Sequence, residues 1–98
     1  MKVLVKSKHN EVVDKDLIEY TEKKIKKINC HADIITSIDI IYSSDHINKI
    51  AEAKINVTGS QLITHASCKT STGAMDLLID KIIRQLVKFK EKHNHHHA

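Results

Sequence analysis

Apolar and polar residues alternate with a period of two in four separate stretches of the chain. The stretches are "KVLVKS" (2–7), "SIDIIYSS" (37–44), "IAEAKINVTG" (50–59) and "QLITHASCK" (61–69). This period is typical of strands whose two faces have different surroundings. The positions predicted to face the core are Val3, Val5, Ile38, Ile40, Tyr42, Ala51, Ala53, Ile55, Val57, Leu62, Thr64, Ala66 and Cys68; the alternate positions, Ile41 among them, are predicted to face water.

Two other stretches repeat their apolar residues at helical spacing. The first helix is predicted to run to about residue 29 from its N-cap Asp14, since an aspartate can accept from the free amides of a first turn. The second is predicted over about 72–92, after a cap at Thr70 or Ser71. The residues predicted to face the core are Leu17, Ile18, Tyr20, Thr21, Ile25 and Ile28 on the first helix and Met75, Leu78, Ile79, Ile82, Leu86 and Phe89 on the second.

The order β-α-β-β-β-α predicts the fold class. Two amphipathic helices beside strands with one apolar face predict an α+β two-layer sandwich, a four-stranded sheet with both helices packed on one face. A chain of 98 residues, 41% of them hydrophobic and none of them proline, fits one domain with an aliphatic core. We expect that domain to span residues 1–92 and the His-rich residues 93–98 to form a flexible tail.

Cations line one side of the second predicted helix. Lys81, Arg84, Lys88 and Lys92 follow one another at intervals of three or four residues, nearly opposite the apolar side. This spacing suits a row of contacts to a phosphate backbone, and a sequence pI near 9.1 agrees with an anionic partner. An ordinary solvated face, with acids early and bases late to match the helix macrodipole, is the alternative. The pattern alone favours the two interpretations about equally.

The first helix carries a second group of cations. Lys23 and Lys27 lie on one flank of the helical wheel, whereas Lys24 falls inside the apolar sector. The Lys24 ammonium must therefore extend to solvent between the helices or meet a negative group there. The three aromatic residues all fit core positions better than an exposed surface, so stacking platforms for single-stranded RNA are missing. A contact with the backbone of folded RNA is therefore favoured over base-specific reading.

The residue types that enzymes and metal sites need are scarce. Gly59 and Gly73 are the only glycines, which excludes the glycine-rich phosphate loops. Cys30 and Cys68 stand alone and are expected to be reduced thiols. Asp76 and Asp80 are one turn apart, and macrodipole matching explains them better than acid–base chemistry. The tail histidines 93 and 95–97 lack the further ligands of a fixed metal site, so no enzyme, metal or cofactor is expected.

The two helical stretches resemble a known family. "AMDLLIDKIIRQLVKFKEK" resembles the second-helix signature of the ribosome hibernation-promoting factors and ribosome-associated inhibitors, and "LIEYTEKKIKKI" resembles their first-helix signature. The similarity covers nearly the whole chain in the same element order. The family commonly has an acidic and an aromatic residue just before the second helix, where this chain has Thr70 and Thr72.

The resemblance implies a fold, a partner and a set of contact residues. Members of this family have a layout similar to double-stranded-RNA-binding domains, bind the small ribosomal subunit in the decoding region, block messenger and transfer RNA binding, and silence translation in stationary or stressed bacteria. A chain that ends soon after its last helix resembles the short form, which assists pairing of ribosomes. By this resemblance, the residues expected to face ribosomal RNA are Lys24, Lys27, Lys81, Arg84, Lys88 and Lys90. The charge pattern of the two helices adds Lys23 and Lys92 to the expected contact residues.

Partners and location follow as expectations from the same sequence. No apolar run is long enough to cross a bilayer and the first residues lead into a strand, so a cytoplasmic protein without a membrane partner is expected. The resemblance adds a companion ribosome-modulating factor and a monomer off the ribosome. The alternative function is a homo-oligomeric protein-interaction domain that pairs through an exposed strand edge.

Overall fold

A computed structural model describes residues 1–9 and 11–94 of the chain. Its elements are β1 (Lys2–Ser7), α1 (Lys15–Ile25), a 3₁₀ segment (Lys26–Ile34), β2 (Ile35–Asp45), β3 (Asn48–Val57), β4 (Ser60–Cys68) and α2 (Ser71–Asn94). In this part of the chain the strands form one sheet in the order β1-β2-β3-β4. β1 is parallel to β2, and the other two pairs are antiparallel. Both helices cover the same sheet face, which confirms the predicted α+β sandwich.

The core between the sheet and the helices is almost entirely aliphatic. Every predicted inward position on β2 and β3 is buried. On the edge strands β1 and β4, inward residues such as Val3 and Leu62 are only partly buried, because an edge strand has a neighbour on one side alone. Most residues predicted to face the core on the helices are buried, but Leu17, Ile18, Tyr20 and Phe89 are only partly buried, and Ala74, which was not predicted, is fully buried.

Ile41 corrects the prediction that the second sheet face is uniformly wet. Its side chain points to that face, yet it is only 8% exposed. The strand register places it between Lys6 of β1 and Glu52 of β3. Long charged side chains can lie along an apolar neighbour while their charged ends stay in water, which explains how an isoleucine is covered on an open sheet.

The first helix ends earlier than predicted. α1 stops at Ile25, and residues 26–34 continue as a 3₁₀ segment instead of an α-helix that reaches residue 29. Positions 25, 28, 31 and 34 follow one another at intervals of three and hold Ile25, Ile28, the partly buried His31 and Ile34. Three residues per turn is the 3₁₀ period, so the tighter winding keeps these side chains on the core side while the chain approaches β2. The predicted N-cap is confirmed, because Asp14 accepts from the amide of Asp16 at 3.2 Å.

A buried hydroxyl pair joins α1 to the sheet. Thr21 is fully buried, and its Oγ1 donates to the carbonyl of Leu17 at 2.7 Å. That bond uses its only proton, so the neighbouring Tyr42 hydroxyl, 2.5 Å away, is the donor to Thr21. Burial raises the pKa of Tyr42, which keeps the phenol in its donating form. The pair fixes where α1 sits over β2.

The start of α2 is capped by Thr70, one of the two predicted caps. Its Oγ1 accepts from the amide of Gly73 at 3.0 Å, and its carbonyl accepts from the amide of Ala74 at 3.0 Å. Thr70 therefore caps the helix through both its side chain and its main chain. At the other end α2 continues to Asn94, past the predicted boundary at residue 92, and residues 95–98 of the predicted tail lie outside the described residues.

Candidate nucleic-acid interface

The cationic stripe of α2 lies along one flank of the helix, above β4. Lys81, Arg84, Lys88 and Lys92 are all exposed. Two surface grooves connect these cations with β4: Thr64 lines one together with Lys81, Arg84 and Lys88, and Leu62 lines the other together with Lys88 and Lys92. We refer to these four cations as the α2 stripe. It is continuous over three helical turns, as the sequence spacing predicts.

One member of the α2 stripe has an internal contact. The Lys81 ammonium donates to the main-chain carbonyl of His65 at 2.9 Å. β4 has β3 on one side only, so this contact lies on a strand with an open edge. A lysine over such an edge discourages pairing with another strand. For Arg84, Lys88 and Lys92 no side-chain hydrogen bond or ion pair links them to other described residues, so these three charges are available to a ligand.

A second group of polar side chains lies in the cleft between α1 and α2. The carboxylate of Asp76 accepts from the Tyr20 hydroxyl at 2.5 Å, and the same oxygen lies 3.2 Å from the Lys24 ammonium. That ammonium is also 5.3 Å from the centre of the Tyr20 ring, within the range of a cation–π contact. We call Tyr20, Lys24 and Asp76 the cleft triad. It joins the two helices through charge and explains why a lysine occupies the apolar sector of α1.

The electrostatics of the cleft triad keep both of its ions charged. The Tyr20 hydrogen bond lowers the pKa of Asp76 below its ordinary value, and the charges of Lys24 and Lys27 lower it further. The hydrogen bond to Asp76 raises the pKa of Lys24, against the opposite effect of partial burial. The Tyr20 pKa is raised, chiefly because its hydroxyl donates to Asp76. Lys27 is therefore close enough to add positive potential to the same cleft.

The other predicted contact residues are divided between two places. Lys90 lies on the cleft side of α2 and forms an ion pair with Asp33 of the 3₁₀ segment at 3.7 Å. Lys23 lies on the far flank of α1, in a groove that it shares with Met1 and Val3 of the β1 side. The eight residues thus form the α2 stripe, a cleft group of Lys24, Lys27 and Lys90, and the separate Lys23.

Macrodipole matching is the wrong explanation for Asp76. The first turn of α2 contains no acidic residue, and Asp76 lies beyond it, bonded to α1. Sequence reasoning did not identify Tyr20 and Asp76 as the partners of Lys24. The available signal was Lys24, whose place among apolar residues required a nearby negative group; the sequence did not show which acid would supply it.

Acidification should destabilise the wild-type chain more than it destabilises an Asp76→Asn variant. A carboxyl whose folded pKa lies below that of the unfolded chain stabilises the fold above the ordinary pKa of 3.8, and this contribution disappears as the pH falls through the folded value. Asp76 is about half exposed, so solvent makes the effect modest. Urea unfolding between about pH 6 and about pH 2.5 should show a smaller acid loss for the variant. Equal losses would contradict a lowered Asp76 pKa.

Metal ligands, membrane-spanning helices and cysteines were the other features considered in the sequence. Residues 1–9 and 11–94 contain no group of three or more metal-ligating side chains. None of the helices described there has the length and hydropathy that a membrane crossing requires. Both cysteines are free thiols, as predicted. The tail histidines at 95–97 lie outside the described residues.

The fold and the charge distribution define a small basic α+β sandwich of β-α-β-β-β-α order. Residues 3–94 match the family described as "Sigma 54 modulation protein / S30EA ribosomal protein", and the chain belongs to this family. The match covers both helices, the cleft triad and the α2 stripe. The family predicted from the helix signatures is therefore confirmed.

Relatives and solved structures agree with this assignment. The chain is 37% identical over 86 residues to the ribosome hibernation promoting factor of Azotobacter vinelandii, covering 88% of this chain and 80% of that protein. Identity to the protein of the same name from Pseudomonas putida is 32% over 92 residues, covering 94% and 89%.

Two solved structures share the fold. A ribosomal subunit interface protein from Coxiella burnetii has a TM-score of 0.84 at 30% identity, over 92% of this chain and 98% of that one. The Protein Y N-terminal domain of Thermus thermophilus has a TM-score of 0.75 at 20% identity, over 91% and 99%, which supports the fold alone.

Proposed function

We propose that this chain is a non-enzymatic ribosome hibernation factor. It binds the small ribosomal subunit in the decoding region through the cations of α1 and α2, and there blocks the binding of messenger and transfer RNA. Translation is thereby repressed in stationary phase or under stress. The names of the relatives support this proposal, since they describe ribosome hibernation promoting factors and a ribosomal subunit interface protein.

The observation that carries the proposal is the position of the cations on one layer of the sandwich. The α2 stripe and the cleft group, which comprise seven of the eight predicted residues, belong to α1, to the 3₁₀ segment that continues it and to α2, on the same side of the sheet. A rigid helical layer presents charges at fixed separations, which suits the irregular but fixed phosphate positions of folded RNA. Lys23, on the far flank of α1, contributes a contact only where the RNA wraps around that helix.

The proposal extends to the cell and to other factors. A cytoplasmic location follows from a ribosomal partner. In the bound state the chain assists the pairing of ribosomes, together with a companion ribosome-modulating factor, and off the ribosome it is a monomer. Sucrose-gradient sedimentation of stationary-phase lysate tests this part: the chain should move with subunit and paired-ribosome fractions, and its absence from all ribosomal fractions would refute it.

The alternative function, oligomerisation through a strand edge, has weaker support. Lys81 already occupies a main-chain carbonyl of the edge strand β4, which discourages pairing there. RNase treatment distinguishes the two functions. Association with ribosomal particles should be lost when the RNA is digested, whereas self-association through β-strands would be unaffected.

Salt dependence measures how many phosphates the cations contact. Of the seven cations in the α2 stripe and the cleft group, four have no ion pair or main-chain contact among the described residues, namely Lys27, Arg84, Lys88 and Lys92. Lys81 and Lys90 are held internally and can add contacts by rearranging, whereas Lys24 can add one while it stays paired with Asp76. Between about four and about seven phosphates predict a slope of log affinity on log salt of roughly −3 to −6 for isolated small subunits. A slope near zero would contradict binding through phosphates.

A further inference from the structure

Asp76 is a negative charge inside a surface that the proposed function assigns to RNA. A carboxylate there repels phosphate, and at 49% exposed it is not hidden from a ligand. An anion at an RNA-binding surface lowers general affinity for polyanions. Its presence in the cleft between two cationic helices therefore needs an explanation beyond the stability of an exposed ion pair, which is small.

The contacts that Asp76 makes explain its presence in the cleft. A free lysine side chain samples many rotamers, and fixing it on binding costs conformational entropy. Lys24 is already held by Asp76 at 3.2 Å and by the face of the Tyr20 ring, and its side chain is 24% exposed. The Asp76 oxygen accepts from both Tyr20 and Lys24, so the three side chains restrain one another. Lys24 is thus presented in one orientation before any ligand arrives.

We propose that Asp76, with Tyr20, is a positioning and specificity residue that directs the Lys24 ammonium toward one phosphate geometry of folded ribosomal RNA. The inference rests on the proposed function. RNA with a phosphate at that position gains a pre-oriented ammonium, whereas flexible RNA meets the Asp76 carboxylate and gains little. The cleft triad therefore lowers the affinity for RNA in general and raises the preference for RNA with a phosphate at that position.

The test compares two single-charge variants on the same helix. Asp76→Asn removes the charge of the cleft triad, and Asp80→Asn, one turn further along, removes an exposed charge without an ion pair in the described structure. Affinity is measured for isolated small subunits and for polyuridine in the same buffer. Asp80→Asn should tighten both by a similar factor of about two. Asp76→Asn should tighten polyuridine likewise but weaken the small subunit by about fivefold.

A double-mutant cycle separates positioning from a merely structural effect. In a Lys24→Gln background, Asp76→Asn should no longer weaken binding to the small subunit, because its effect passes through Lys24. An unchanged loss in that background would overturn the proposal, as would an Asp76→Asn variant that behaves like Asp80→Asn. Thermal unfolding monitored by circular dichroism confirms that each variant is folded at the binding temperature.

A third variant keeps the test decisive if Asp76→Asn fails to fold. Tyr20→Phe removes the hydroxyl that donates to Asp76 and changes no charge. It should weaken the small subunit by about two- to threefold and leave polyuridine unchanged; equal effects on both RNAs would overturn the proposal. If Lys24→Gln alone leaves small-subunit affinity unchanged, the role of Lys24 in the proposed function fails. If Lys24→Gln weakens binding while the Asp76 variants behave as charge controls, only the inference about Asp76 fails.

Discussion

Replacing Lys24, Arg84 and Lys88 together with glutamine should weaken binding to the small ribosomal subunit by roughly a hundredfold to a thousandfold. A charge-assisted hydrogen bond to a phosphate contributes about 1.5 kcal/mol or more, which corresponds to about tenfold for each contact. Arg84 and Lys88 should provide most of the loss, because Lys24 shares its charge with Asp76. Sedimentation of the variant with purified small subunits at fixed salt measures the effect.

The triple variant should remain folded. None of the three side chains belongs to the buried core, so their replacement leaves the core intact. The variant loses the ion pair between Lys24 and Asp76, which contributes little to stability at a partly exposed site. The salt slope should also become shallower by about two to three, because fewer counterions are released on binding. Unchanged affinity in a folded variant would exclude these cations as the RNA contacts.

A matched control removes the same charge from the other side of the sheet. Lys2, Lys6 and Lys54 lie on the open face, on strand positions that alternate with the core residues. Their replacement with glutamine lowers the net charge by three, as the triple variant does. This control should show only a small loss of affinity, namely the nonspecific part that depends on net charge. A loss as large as that of the helix variant would mean that net charge, and not the helical layer, governs binding.

The sequence was sufficient to predict the sheet and its inward side chains. A period of two on β2 and β3 is unambiguous because both strands have neighbours on each side, so burial follows the alternation closely. The α2 stripe was equally readable, since one long α-helix keeps a constant angular period from residue 81 to residue 92. These features depend on local periodicity alone.

Features that depend on how helices and strands pack against one another could not be predicted from the sequence. The 3₁₀ segment has Ile28 and Ile34 at a multiple of three positions with His31 between them, and over so short a range this spacing cannot be distinguished from that of an α-helix. The separation of Lys23 from Lys27 depends on how α1 packs against β1. A helical wheel carries no information about this packing. The partner of Lys24 is 52 residues away on another helix, so only the assembled fold brings Asp76 to it.

Gly73→Ala should destabilise the fold by about 1 to 2 kcal/mol, because no room exists for a methyl group. A Cβ at this position would lie 2.7 Å from the Cys68 sulfur and 2.9 Å from Oγ1 of the helix cap Thr70. Overpacking of this kind typically costs about 1 to 3 kcal/mol, which outweighs the better helix propensity of alanine near the helix start. Thermal unfolding should show a midpoint lower by about 4 to 12 °C for a domain of this size.

Removing the obstructing sulfur should restore part of that loss. In a Cys68→Ala background the nearest atom to the new methyl is gone, so Gly73→Ala should cost clearly less than it does in the wild type, a coupling of about 0.5 kcal/mol or more. Gly59→Ala provides the contrast. There the space is open, but a φ of +77° strains an L-residue, so its cost should be the same with or without Cys68. Equal costs of Gly73→Ala in both backgrounds would show that crowding by Cys68 is not the reason for glycine at the start of α2.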